Sequence, residues 1–240
     1  MASASRRRPV IAIDGPAGAG KSTVARTVAR RTGFAYLDTG AMYRAVALAV
    51  REAGLEAGPE LLDPCAVGAL LEGADLRVLG GGSDQRVLLD GEDVTSRLRA
   101  PEIDRLVPLV SRLPEVRRAL MAQQRRLAAG GGIVADGRDM GTAVLPDADY
   151  KFFLTADLAV RARRRQGELR TAGTAVGLQA VERDLAERDL LDGNQLRQAP
   201  DAILVDTTHL TVEQAVQRIL AACPGLVGSV APTRTDGGGP

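Results

Sequence analysis

Lysine is almost missing from this 240-residue sequence. Of its 31 lysines and arginines only two are lysines, Lys21 and Lys151. Tryptophan is absent, and phenylalanine and tyrosine occur three times each. So few rings leave no stacking platform for single-stranded nucleic acid. A base bound here would be held by guanidinium planes, hydrogen bonds and aliphatic contacts. The single histidine, His209, and two distant cysteines, Cys65 and Cys223, give no His- or Cys-based metal spacing. The two thiols read as reduced and mostly buried, and His209 as a surface residue in a loop. Acidic and basic residues nearly cancel, leaving a net charge of +1. No overall field then draws the chain to nucleic acid or to an anionic membrane. No apolar run approaches the roughly 20 residues of a membrane span. No signal-peptide core follows the basic Arg6-Arg7-Arg8. These absences predict a cytoplasmic protein without nucleic-acid or membrane partners.

What is present begins with the apolar run Val10–Ile13. It leads into Gly15-Pro16-Ala17-Gly18-Ala19-Gly20-Lys21-Ser22, followed by Thr23. This fits G-x-x-x-x-G-K-[ST], a loop whose backbone N–H groups cradle phosphates, with the preceding strand that the pattern requires. A chain that otherwise uses arginine keeps a lysine here. An ammonium is a compact point charge that fits between β- and γ-phosphates, where a planar guanidinium is too wide. The hydroxyl of Ser22 or Thr23 is a candidate ligand for Mg²⁺. A nucleoside triphosphate is the predicted ligand.

Short apolar strands alternate with amphipathic helices, the pattern of a parallel α/β sheet. Strands are predicted at Val10–Asp14, Phe34–Leu37, Ile133–Asp136, Tyr150–Leu154 and Ala202–Asp206. Helices are predicted from Lys21 to about Arg31, Met42 to Ala53, Pro114 to about Ala129, Leu158 to Leu169, Leu178 to Leu191 and Thr211 to Cys223. The middle departs from this pattern. Leu76–Leu79, Arg86–Leu89 and Asp93–Thr95 read as strands of a small antiparallel sheet, with tight turns at the glycine-rich 80–84 and at Asp90-Gly91. The reading is one domain at 9–223, with a β insert at about 74–98. Disordered ends are expected at 1–8 and 224–240.

Asp136 ends an apolar strand, where phosphate-loop proteins often place a carboxylate near Mg²⁺. Asp206 ends another and serves as the comparison. Arg44 follows Gly40-Ala-Met-Tyr43, Arg138 sits in Ala135-Asp-Gly-Arg-Asp139, and Arg117, Arg161, Arg164 and Arg188 lie where a helix could face the carboxyl ends of the strands. Solvated helix faces also carry arginines, but convergence on the loop would suit a reaction between two phosphorylated molecules. No residue stands out as a general base. A phosphate acceptor needs none, whereas a hydroxyl acceptor wants a carboxylate. A small-metabolite kinase of shikimate or gluconate type therefore stays as an alternative. A GTPase-like switch would need an Asn-Lys-x-Asp base reader, and neither lysine follows Asn.

The sequence resembles the bacterial cytidylate kinase family. The resemblance is carried by Ile13–Thr23, Leu37-Asp-Thr-Gly-Ala-Met-Tyr-Arg44, Leu89–Thr95 and Pro114-Glu-Val-Arg117. It continues through Ala135-Asp-Gly-Arg-Asp-Met-Gly-Thr142, Pro146-Asp-Ala148 and Glu187-Arg-Asp189 with Asp192. It implies a P-loop NTPase fold of the nucleoside monophosphate kinase type, a five-stranded parallel sheet with helices on both faces. It implies ATP as phosphoryl donor with Mg²⁺, CMP or dCMP as acceptor, and a monomer. Thr39, Arg44 and Arg138 would meet the CMP phosphate, Arg117 and Asp139 would read cytosine, and Asp192, beside Arg188, would hold the ribose. Lys21, Arg44, Arg138 and Arg188 would be catalytic. Gly15 to Thr23 would bind ATP, and Arg161, Arg164 and Arg165, in a lid at about 158–191, would cover it. Ser22 and Asp136 would hold the metal. Two positions depart from the family pattern: Pro108 replaces a serine near the base, and Gln195 replaces an arginine.

Overall fold

The structure is a computed structural model that describes residues 8–56, 62–79, 85–171, 173–193, 195–224 and 226. Most of the expected N-terminal arm, the glycine-rich turn at 80–84 and most of the expected tail lie outside the described residues. Arg8, expected in the arm, is instead the first residue of β1 (Arg8–Asp14).

β1 is the middle strand of a five-stranded parallel sheet. Its neighbours are β6 (Gly131–Asp136) and β7 (Tyr150–Thr155), and beyond them lie β2 (Ala35–Asp38) and β8 (Ile203–Asp206), in the order β2-β6-β1-β7-β8. The pleat sends successive side chains to opposite faces. Ile11 and Ile13 enter one core, under α1 (Lys21–Thr32) and α8 (Val212–Ala221). Val10 and Ala12 enter the other, under α2 (Thr39–Glu52) and α5 (Pro114–Ala128). Covering both faces explains why these strands are apolar throughout rather than alternating. The carboxyl ends of β1, β2 and β6 thereby meet at one rim, which carries the phosphate loop, Asp38 and Asp136.

Several boundaries differ from the sequence reading. α2 begins at Thr39, not Met42, because the Asp38 side chain accepts from Ala41 N–H at 3.0 Å and caps the helix. Two helices were not predicted, α3 (Pro64–Gly73) and α4 (Pro101–Val110). Both start on a proline, which suits a first turn. α4 also runs through Pro108, which reads in sequence as a break. Cys223 is buried, and burial pushes its thiol up to about 12. Cys65, expected to be mostly buried, is exposed on α3.

The insert is a three-stranded antiparallel sheet of β3 (Leu76–Leu79), β4 (Arg86–Leu89) and β5 (Glu92–Asp93). Asp90 and Gly91, with φ of 51° and 85°, make its tight turn. The third strand ends before Thr95, whose hydroxyl, not its backbone, accepts from Val87 N–H at 2.9 Å. Gln85 fastens the insert to the core. Its side-chain oxygen accepts from Asp38 N–H at 2.7 Å, and its amide donates to Asp38 C=O at 3.1 Å. On the other side of the rim, α6 (Leu158–Thr171) and α7 (Leu178–Asp192) pack around Ala162, Val181 and Leu185.

Candidate active site

The loop after β1 bends through Gly15, Gly18 and Gly20, all at positive φ, and α1 begins at Lys21. Its first-turn amides face the rim unpaired, a ready anion site. Lys21 is buried, and its ammonium donates to Pro16 C=O at 2.8 Å across the loop. Burial, reinforced by the charge of Arg138, lowers its pKa to about 7, against the pull of Asp136 and Asp14. The second lysine is engaged elsewhere, with Lys151 paired to Asp201 at 2.8 Å.

Asp136 is buried at the end of β6, next to β1. One carboxylate oxygen accepts from Ser22 Oγ at 2.7 Å and the other from Tyr36 Oη at 3.0 Å, while Thr39 Oγ1 donates to its carbonyl at 2.7 Å. Burial and neighbouring Asp38 raise its pKa to about 6. A hydroxyl and a carboxylate 2.7 Å apart beside a phosphate loop form a hard, oxygen-only donor pair. That fits Mg²⁺, which takes one or two protein oxygens and fills its remaining positions with phosphate and water. Asp14 lies deeper. It accepts from Met140 N–H at 2.7 Å and Gly141 N–H at 2.8 Å, and desolvation raises it to about 6. It fixes the π-helical turn Met140–Val144 against β1.

A cavity of about 250 Å³ opens over these groups. On the loop side it is lined by Ala17, Gly18, Gly20, Lys21, Ser22 and Thr23. Opposite stand Arg44, Arg117, Arg138 and Arg188, with Asp139 and Asp192. Arg138 Nε donates to Asp192 at 2.8 Å, and Arg117 is ion-paired with Asp139. Residues from α1, α2, α5, α7 and the loop after β6 thus share one space, as the sequence reading expected. Gly15, Pro16 and Ala19 lie in the loop behind the lining, and Thr39 directs its hydroxyl to the backbone.

Arg161 and Arg164 are placed differently. Neither lines the cavity. Arg161 is buried against the outside of the loop, donating to Ala17 C=O at 3.2 Å and, through both Nη groups, to Asp189 of α7. Arg164 donates to the hydroxyl and carbonyl of Thr207, whose hydroxyl in turn donates to Ala19 C=O at 3.1 Å. Both arginines tie α6 to the loop. The cavity also includes Arg165, the third arginine expected in the lid, and Tyr43, Arg99 and Asp104, to which the sequence assigns no role. Gln195 lines it too, donating weakly to Ser111 C=O at 3.4 Å. A more open recess of about 330 Å³ near Val10, Arg125 and Asp147 lacks this chemistry, because Arg125 there donates to Ala143 and Val144 carbonyls.

The family model for cytidylate kinase matches residues 11–224, nearly the whole described chain. The chain belongs to the cytidylate kinase family. Cytidylate kinase of Carboxydothermus hydrogenoformans is 50% identical over 88% of this chain and 95% of its own length. That of Symbiobacterium thermophilum is 49% identical over 90% and 96%. That of Caldanaerobacter subterraneus subsp. tengcongensis is 48% identical over 88% and 93%. Both departures from the cytidylate kinase pattern touch the cavity wall, Gln195 directly and Pro108 through its neighbour Val107.

The lowered Lys21 has a measurable consequence. At pH 8 a group titrating near 7 is mostly neutral, and a polyphosphate beside it raises its pKa. ATP binding at pH 8 is therefore expected to take up protons, and affinity to fall as pH rises above 7. At that pH Asp136 is already ionised, so its response to a cation adds little. Calorimetry in buffers of different ionisation enthalpy gives the sign directly. Proton release, or no exchange, would show that Lys21 is charged in the empty site.

Proposed function

We propose that this chain transfers the γ-phosphoryl group of ATP to a phosphate oxygen of CMP or dCMP, giving ADP and CDP or dCDP. The observation that carries the reading is that, in a cytidylate kinase family member, one cavity has a phosphate loop on one wall and arginines on the other. The loop amides and Lys21 hold the β- and γ-phosphates. Arg44, Arg138 and Arg188 hold the acceptor phosphate and offset repulsion between two anions brought together. Because that acceptor is already anionic at neutral pH, no proton need be removed from it. The residues align the attacking oxygen with the γ-phosphorus, and the guanidiniums stabilise charge on the transferred group. Mg²⁺ held by Ser22 and Asp136 would supply further charge neutralisation between the phosphates.

Arg117 and Asp139 form a donor–acceptor pair suited to the cytosine edge, and Asp192 supplies an acceptor for ribose hydroxyls. Arg161 and Arg164 act on ATP through the loop they brace. In this reading residues 9–223 are one kinase domain, with a β insert on the monophosphate side and a lid at about 158–191 whose closure excludes water. On the same reading it works as a monomer in the cytoplasm on small molecules alone. Among the described residues, no helix is long and apolar enough to cross a membrane.

A coupled ADP-release assay across CMP, dCMP, UMP, AMP and GMP, with shikimate and gluconate as hydroxyl acceptors, tests the assignment. CMP and dCMP are expected to give the highest kcat/KM. Preference for AMP or for a hydroxyl acceptor would overturn it.

A further inference from the structure

We propose that Asp104 is a positioning residue that assembles the arginine grip on the CMP phosphate. The inference rests on the reading that Arg44 and Arg188 hold that phosphate. Asp104 lies on α4, only 6% exposed. Its Oδ1 accepts from Arg44 Nε of α2 at 2.9 Å, and its Oδ2 from Arg165 Nη2 of α6 at 2.5 Å. Its backbone carbonyl accepts from Arg188 Nη2 of α7 at 3.3 Å. That carbonyl is open to Arg188 because the residue four positions on is Pro108, which has no N–H to complete the helical hydrogen bond. Guanidiniums from three helices therefore converge on one residue of a fourth.

Without an anion between them, Arg44, Arg165 and Arg188 would repel one another and turn towards water. Arg165 and Arg188 have second partners, Glu168 and Asp184, but these are more than half exposed and well screened. Asp104 is the buried one. The arginines beside it, Arg44 first, hold its carboxyl below the usual carboxylate range despite its burial. Anchoring Arg44 through Nε leaves both its Nη groups for a second anion. This arrangement also bears on Gln195. Where the cytidylate kinase pattern has an arginine, this chain has a neutral amide, and Asp104 holds Arg165 on the same cavity.

The test is steady-state kinetics and thermal melting of the full chain carrying Asp104→Asn, Asp104→Glu or Pro108→Ala. Asp104→Asn keeps the shape and removes the charge. It is expected to raise KM for CMP about 10-fold, with KM for ATP within about three-fold, a smaller fall in kcat than the rise in KM, and a lower melting temperature because partly buried guanidiniums lose their counter-charge. Asp104→Glu restores the charge and should return KM for CMP to within about three-fold of wild type. Pro108→Ala returns an N–H to compete for the Asp104 carbonyl, and should raise KM for CMP about three-fold. Folded Asp104→Asn with an unchanged KM for CMP overturns the proposal. So does an equal loss of kcat, ATP affinity and melting temperature in both Asp104 variants. If Asp104→Asn does not fold, Pro108→Ala decides, and an unchanged KM for CMP overturns it. Failure of wild type itself to turn over CMP would instead reject the functional reading, and is seen before any variant is made.

Discussion

Lys21→Ala is expected to lower kcat by about 10³-fold or more, while the protein melts near the wild-type temperature. Lys21 is the one ammonium on the loop, buried and hydrogen-bonded to Pro16 C=O. In the transition state, charge gathers on the bridging and terminal oxygens between the β- and γ-phosphorus. A cation there, shielded from water, stabilises the transition state more than the bound ground state. Folding loses little, because the folded chain keeps Lys21 only at the cost of desolvating it, which is why its pKa is lowered. Lys21→Arg should not restore the rate, since a planar guanidinium is broader than the compact ammonium it replaces between the β- and γ-phosphates. Turnover in Lys21→Ala within ten-fold of wild type, measured at saturating ATP and CMP, would place the phosphoryl-transfer site elsewhere.

Gly15→Ala is expected to prevent accumulation of folded protein, or to lower its melting temperature by about 10 °C or more. Gly15 has φ of 141°, and a Cβ built on it would sit 1.9 Å from Leu154 C=O in β7. That oxygen belongs to a strand paired with β1, so it cannot move aside without opening the sheet. Gly68 is the control. It lies inside α3, and a Cβ there would touch only the side chain of Glu115, at 3.7 Å. Gly68→Ala should be neutral or stabilising by up to about 1 kcal/mol. A Gly15→Ala protein that melts like wild type would mean the loop does not pack against β7 as described.

The parts of this site that sequence made visible are those written locally. The loop, its strand and its helix lie within about 20 consecutive residues, and their spacing states their geometry. The arginines were visible as a population, and the family pattern assigned several of them to one space. Their partners were less visible. Asp104 meets Arg165 across 61 positions, Tyr36 meets Asp136 across 100, and Thr207 meets Ala19 across 188. No local pattern encodes such pairings. The family resemblance places Arg161 and Arg164 in a lid over ATP. In the structure their guanidiniums meet backbone carbonyls and Asp189. α4 was hidden by Pro108, normally a stop signal, which is tolerated here because Arg188 takes the carbonyl it leaves unpaired. The start of α2 was hidden by Thr39-Gly40, which reads as a turn until Asp38 is seen to cap it.

Both phosphates are expected to meet in the cavity between Lys21 and the arginines. A single inhibitor that joins cytidine and adenosine through five phosphates spans that cavity from wall to wall. It should compete with ATP and with CMP alike, and bind far more tightly than either. Competition with only one of them, or with neither, would contradict the account.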